Sequence, residues 1–141
     1  MAGKTVREIY CWKVKMETLH IYLASSKKGA LRIGLTLKRE LNCMDFFRRI
    51  FPEDALSKDY SPNRFLIQAV KAALVNRRPK TVLDLDTSCT PFQQRVYEAI
   101  TKIQFGRTRT YGEVALMVGN PKGARAVGQA LGRNPLPLIF P

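Results

Sequence analysis

A chain of 141 residues, 45% of them hydrophobic, is long enough to bury one core or two small ones that lean on each other, which excludes a largely disordered protein. The 24 Lys/Arg against 11 Asp/Glu give a net charge of +13 and a positive field suited to a polyanion such as nucleic acid. No apolar run approaches the roughly 18 residues of a membrane span and no basic-then-apolar leader opens the chain, so the expectation is a cytoplasmic protein with no membrane partner, nucleoid-associated in a bacterium or nuclear in a eukaryote.

From Cys11 to Ala24 the alternation of apolar residues changes phase, with Trp12, Val14 and Met16 on one face and then Leu19, Ile21 and Leu23 on the other. A side-chain period of two cannot change parity without a turn or bulge, which predicts one near Glu17. After the polar turn Ser25 to Gly29, Leu31, Ile33, Leu35 and Leu37 alternate with polar or small residues as a half-buried strand. Asn42 to Phe51 reads as a short helix stopped by Pro52. Ser61-Pro62 offers an N-cap and first-turn proline to a helix with Leu66, Ala69, Val70 and Ala73 on its stripe, ended by Arg77-Arg78-Pro79. Val82, Leu83 and Leu85 predict one more short strand, and the domain boundary falls just after it. The three cysteines, Cys11, Cys43 and Cys89, are odd in number, which does not suit a disulfide framework. With His20 they lack the paired short spacings of a zinc site, so no metal is expected.

The second half is helical. Thr90 with Gln93, and Pro91 between them, is a capping box opening a helix whose stripe is Phe92, Val96, Ile100 and Ile103. Thr110 with Glu113 repeats the device for a shorter helix that buries Val114 and Val118 and stops at Gly119. Asn120-Pro121 begins a third helix, with Ala124, Val127 and Leu131 inward and Arg125, Gln129 and Arg133 outward. The spacing is that of a helix-turn-helix but by itself favours an ordinary helical hairpin, and the outward face of Arg125, Gln129 and Arg133 shifts the balance toward a nucleic-acid binder. Gly128 inside that helix costs about 0.5 to 1 kcal/mol against alanine, so it asks for a reason, either close approach of DNA or close packing of another helix.

Three stretches, Thr90-Pro91-Phe92-Gln93-Gln94-Arg95-Val96-Tyr97, Thr110-Tyr111-Gly112-Glu113-Val114-Ala115, and Gly119-Asn120-Pro121-Lys122-Gly123-Ala124-Arg125-Ala126-Val127-Gly128, resemble the methylated-DNA–protein-cysteine methyltransferases that repair O6-alkylguanine. The resemblance is dense over residues 90 to 141 and one of pattern only over residues 9 to 86. It implies an α/β (α+β) protein: a ribonuclease-H-like antiparallel sheet domain with covering helices over residues 1–86, then a helical, winged-helix-like DNA-binding domain over residues 87–141 that lacks its wing. It further implies that the third helix enters the minor groove of duplex DNA and that Arg125 takes the place of an extruded guanine. Ala124, Ala126 and Gly128 would keep the backbone close, with Lys122 and Arg133 as further DNA contacts. Tyr111 would donate a hydrogen bond to the departing base, and Asn134 would join the network that holds the acceptor. Pro137 and Pro141 would line the pocket. Gly123 stands where the family usually has alanine.

In that family the proline matching Pro141 is followed by Cys-His-Arg, whose cysteine accepts the alkyl group. The expectation is therefore a monomeric, cofactor-free DNA-repair protein acting on double-stranded DNA containing O6-alkylguanine, its acceptor a cysteine, or a selenocysteine encoded by UGA, next after Pro141. The 141 residues by themselves are expected to be inactive, with Val127, Leu136, Leu138, Ile139 and Phe140 left uncovered. The alternative is a non-catalytic lesion- or DNA-binding helix-turn-helix protein.

Overall fold

The computed structural model describes residues 3, 5–77 and 83–140. The chain divides into two compact units, Met1–Thr87 and Ser88–Pro141. Of the segment read as a last strand, Val82 lies outside the described residues.

The first unit is a mixed α/β structure built on one four-stranded sheet in the order β3-β2-β1-β4. β1 (Glu8–Met16) and β2 (Leu19–Ser26) pair antiparallel from Tyr10 opposite Ser25 to Met16 opposite Leu19. The parity slip is a tight turn in which Glu17 takes φ 53°. β3 (Gly29–Leu37) continues the meander, but a bulge between Ala24 and Ser25 leaves Leu31 without a strand partner. An extra residue moves the following side chains to the other face. Leu31 therefore joins the cluster of Ile9, Cys11, Tyr22, Ala24, Cys43 and Phe47 instead of sharing a face with Ile33. Leu35 and Leu37, read as half-buried, are 41% and 70% exposed.

The helix α1 (Cys43–Arg48) is capped by Asn42, whose side chain accepts from Met44 N at 2.9 Å. It ends well before Pro52, so the proline is not its stop. Phe46 stacks on Tyr22 with ring centroids 4.3 Å apart, and Phe47 is fully buried. β4 (Ala55–Lys58), which the sequence pattern does not announce, runs parallel to β1 at the sheet edge. Ser61–Asn63 forms a 3-10 turn with no side-chain cap, and α2 starts only after it, at Arg64–Leu74. The stripe Leu66, Ile67, Ala69 and Val70 is buried as its spacing requires. Leu85 makes a single parallel bridge to Ala30 instead of the expected strand.

Cys11 and Cys43 are buried together in this unit, and burial, with Cys43 beside it, pushes the Cys11 thiol up to about 12. The thiolate is the reactive form, so Cys11 should not respond to a disulfide reagent at pH 8, and Cys43, closed off in the same core, is out of the reagent's reach. Ellman titration of the native protein should count one fast thiol, Cys89, and three after denaturation. Two fast thiols in the native state would contradict the packing of this core. Among the described residues no helix is long and apolar enough to cross a membrane.

The second unit holds α3 (Pro91–Thr101), α4 (Tyr111–Met117) and α5 (Ala124–Gly132). Both capping boxes form: Gln93 N donates to Thr90 Oγ1 and Glu113 N to Thr110 Oγ1, each at 3.1 Å, and each cap's own N–H is received by the partner side chain. Their core is Val96, Tyr97, Ala99, Ile100, Val114, Ala115, Val127 and Ala130. Ala130 is thus the second fully closed position of α5, while Ala124 and Leu131 are only partly buried.

Candidate nucleic-acid interface

α4 gives way to the turn through Gly119, whose φ of 77° suits a residue without Cβ. Asn120 N closes on Ala115 O at 2.9 Å, and Gly123 N on Asn120 O at 2.9 Å. Pro121 and Lys122 therefore sit in an exposed turn, and the third helix begins at Ala124 instead of Asn120-Pro121. Gly123 is its N-cap, not an interior position, so helix propensity is not what its lack of a methyl affects. A Cβ there would lie 2.6 Å from the Asn120 side-chain amide, which closes over the glycine.

Along α5, Arg125 and Gln129 are exposed on one side, and Val127 and Ala130 face the core. Arg133, one residue past the helix, is its C-cap and is also exposed. Ala124, Ala126 and Gly128 are half-buried on the same helix and add no long side chain to it. Gly128 has a reason that is internal to the fold. A Cβ at this position would stand 3.0 Å from Cε2 and 3.2 Å from Cδ2 of Tyr111, so the glycine makes the seat on which the tyrosine ring lies. Tyr111 opens α4, remains 55% exposed, and brings its phenol to the margin of the α5 face.

The segment after α5 is tied down by Asn134. Its Oδ1 accepts from Leu136 N at 2.9 Å and its Nδ2 donates to Phe140 O at 2.7 Å. Leu136 is fully buried, and Phe140 stacks on Tyr97 at 5.1 Å between centroids. Tyr97 in turn donates to Ala130 O at 2.7 Å, and its burial raises the phenol's pKa further from neutrality. Leu138 is held at φ 77°, a left-handed conformation that costs a non-glycine residue about 1 to 3 kcal/mol. The expectation of an uncovered apolar end is thereby corrected: Val127 and Leu136 are closed, and Leu138, Ile139 and Phe140 are half-buried, because the chain folds back over its own core. Pro137 is half-buried in this turn, and Pro141 lies outside the described residues.

Charge in this unit is unbalanced. Residues 88–141 carry seven Lys/Arg against two acidic residues. The ion pairs among the described residues, Arg7 with Asp54 and Asp86, Lys13 with Glu40 and Lys27 with Glu8, all belong to the first unit. The two carboxylates of the second unit are engaged locally, Glu98 by the Gln94 amide and Glu113 by its capping box. Among the described residues Arg125 and Arg133 thus have no acidic partner, and small residues beside them keep the surface open to a phosphate backbone.

Residues 91–141 match the family model described as 6-O-methylguanine DNA methyltransferase, DNA binding domain. A probable methylated-DNA–protein-cysteine methyltransferase of Acanthamoeba polyphaga mimivirus is 51% identical over 61 residues, which is 43% of this chain and 41% of the relative. The constitutive methylated-DNA–protein-cysteine methyltransferase of Bacillus subtilis is 42% identical over 74 residues, 52% of this chain and 45% of the relative. The chain thus spans less than half the length of these relatives. The crystal structure of Mycobacterium tuberculosis OGT in complex with DNA superposes with a TM-score of 0.67 at 27% identity, covering 94% of this chain and 75% of that one.

Proposed function

We propose, from the match of residues 91–141 to the model described as 6-O-methylguanine DNA methyltransferase, DNA binding domain, that this protein serves the direct repair of O6-alkylguanine in duplex DNA. α5 lies in the minor groove, Arg125 enters the base stack, and the displaced guanine swings toward Tyr111. The alkyl group then passes by nucleophilic displacement to the cysteine that the family's motif places after the position of Pro141. In that displacement the bond from carbon to the guanine oxygen breaks as the bond to sulfur forms, and the proton given up by the thiol is balanced by the one the leaving base takes. The proton supplied through the Tyr111 phenol neutralises the leaving base. Lys122 and Arg133 take backbone phosphates, and Pro137 and Pro141 narrow the approach. The protein acts as a monomer, and the reaction needs no cofactor because the acceptor is consumed.

The observation that carries this reading is the Tyr111 ring lying on Gly128 at the edge of the face where Arg125 stands exposed and unpaired. An enzyme that works on an atom inside a duplex has to extrude the base and stabilise the gap, at a cost of a few kcal/mol. A planar guanidinium and a phenol on one surface supply the wedge and the receiving group. The test uses two duplexes, alike except for one O6-methylguanine, each with 2-aminopurine beside that position. Tighter binding to the lesion duplex together with a rise in 2-aminopurine fluorescence is the expected result. Equal binding with no rise would refute extrusion.

Tyr111→Phe keeps the ring on its glycine seat and removes only the hydroxyl. It should cost about one hydrogen bond, on the order of 1 kcal/mol or fivefold, in preference for the lesion duplex while binding to plain duplex stays unchanged. An equal loss on both duplexes would show the hydroxyl contacting backbone instead of base. Within residues 1–141 no cysteine occupies this surface: Cys11 and Cys43 are buried in the other unit and Cys89 packs against the core of helices. Intact-mass measurement of this polypeptide after incubation with the lesion duplex should accordingly show no added methyl group.

A further inference from the structure

We infer that a second, separate surface of the helical unit, the concave pocket between the end of α3 and α4, holds a backbone phosphate of the bound duplex. The inference rests on the reading above and extends it to a site outside α5. The pocket encloses about 350 Å³ and is lined by Lys102, Ile103, Gln104, Arg107, Arg109 and Met117. Three of those six side chains are cationic, one is an amide donor, and none is a carboxylate.

Among the described residues none of the three cations has an acidic partner; Arg109 donates only to the carbonyl of its neighbour Thr108, at 3.1 Å. Like charges gathered around one hollow repel each other, and an anion seated among them removes that cost. Lys102, Arg107 and Arg109 are all exposed, so a phosphodiester can reach them from solvent.

Place in the fold selects the anion. Arg109 precedes Thr110, the cap of α4, and Tyr111 follows on its Gly128 seat. Two residues of chain span at most about 7 Å, so the rim of the pocket lies next to the surface proposed to receive the extruded base. Duplex DNA presents one negative charge per roughly 1.7 Å of axis, so a duplex laid on α5 and Tyr111 carries a phosphate past this rim. Base edges are not accessible from such a hollow, and its contribution is to affinity and register, not to recognition of the lesion.

The test is the salt dependence of duplex binding for the 141-residue chain, measured by fluorescence anisotropy between about 50 and 200 mM salt. Arg107→Ala combined with Arg109→Ala, both at exposed positions, should lower the slope of log affinity against log salt by about 0.9, one phosphate contact. The preference for the lesion duplex and the 2-aminopurine rise should persist. Arg107→Lys with Arg109→Lys should restore the slope. An unchanged slope in the alanine variant, with the parent chain binding normally, overturns the inference and leaves the repair reading standing. Saturable binding of inorganic phosphate at constant ionic strength that the alanine variant loses, without any change of DNA slope, overturns it too, since the pocket is then a site for a free anion. A parent chain that binds no duplex at all refutes the repair reading, and this inference with it.

Discussion

Arg125→Ala is expected to abolish the 2-aminopurine signal on the lesion duplex while leaving most of the binding to unmodified duplex in place. The guanidinium stands exposed on α5 with no acidic partner among the described residues, so its removal leaves no buried charge behind and no cavity in the core. On the proposed reading, what disappears is the group that would fill the stack once a base has left. Unstacking costs a few kcal/mol, and an empty gap returns that cost to the extruded state, on the order of 2 kcal/mol or thirtyfold in its population. Arg125→Lys separates wedge from charge: the ammonium keeps the electrostatic contact but has no planar head to stack. The lysine variant should therefore retain the salt slope of the parent and still fail to raise the fluorescence. If both variants extrude the base as well as the parent does, Arg125 is only a phosphate contact.

The helical half was legible in the sequence because its signals are local. A capping box needs four residues and no tertiary partner, and Thr90 with Gln93 and Thr110 with Glu113 form theirs as written. The hairpin of β1 and β2 was legible through its parity slip at Glu17, since two opposite alternations need a turn or a bulge between them, and the chain makes the turn. β4 was not, because four mostly exposed residues at a sheet edge have no apolar period to read, and their pairing with β1 is set by distant chain. The bulge that moves Leu31 to the α1 side was hidden for a related reason: unbroken alternation from Leu31 to Leu37 looks like one face, and only the partner strand shows where a residue is unpaired.

The candidate site was legible in composition and less so in geometry. Arg125 and Tyr111 are singled out by the motif, but their meeting is not, since nothing in the spacing tells that Gly128 faces a ring. The sequence offered either DNA or a helix as the neighbour of that glycine, and the structure supplies a side chain of α4. The basic hollow at Lys102, Arg107 and Arg109 was invisible for the same reason: these residues are scattered singly along the chain and converge only when α3 and α4 pack. Asn134 was singled out only by the resemblance, and no spacing told that its side chain fixes the exit segment through two hydrogen bonds.

Asn134→Ala tests how far that segment depends on one side chain. The substitution strips the acceptor from Leu136 N, in a residue with no exposure, and the donor from Phe140 O. An orphaned buried N–H costs about 1 to 3 kcal/mol, and with it goes part of the restraint holding Leu138 left-handed at φ 77°. Stability of the helical unit should fall by about 2 to 3 kcal/mol in chemical denaturation. Hydrogen exchange should show residues 135–140 losing protection while the sheet of the other unit does not. Asn134→Asp refines the test, because a carboxylate still accepts from Leu136 N but repels Phe140 O, whereas the neutral acid can donate to it. The bond from Leu136 N favours the charged form and the Phe140 carbonyl the neutral one, so the two act on the carboxyl in opposite directions. At pH 7 the aspartate variant should fall between the parent and the alanine variant in stability, because one of the two bonds remains. Protection of residues 135–140 that survives Asn134→Ala would mean that Leu136 and the stacking of Phe140 on Tyr97 hold the segment without the amide.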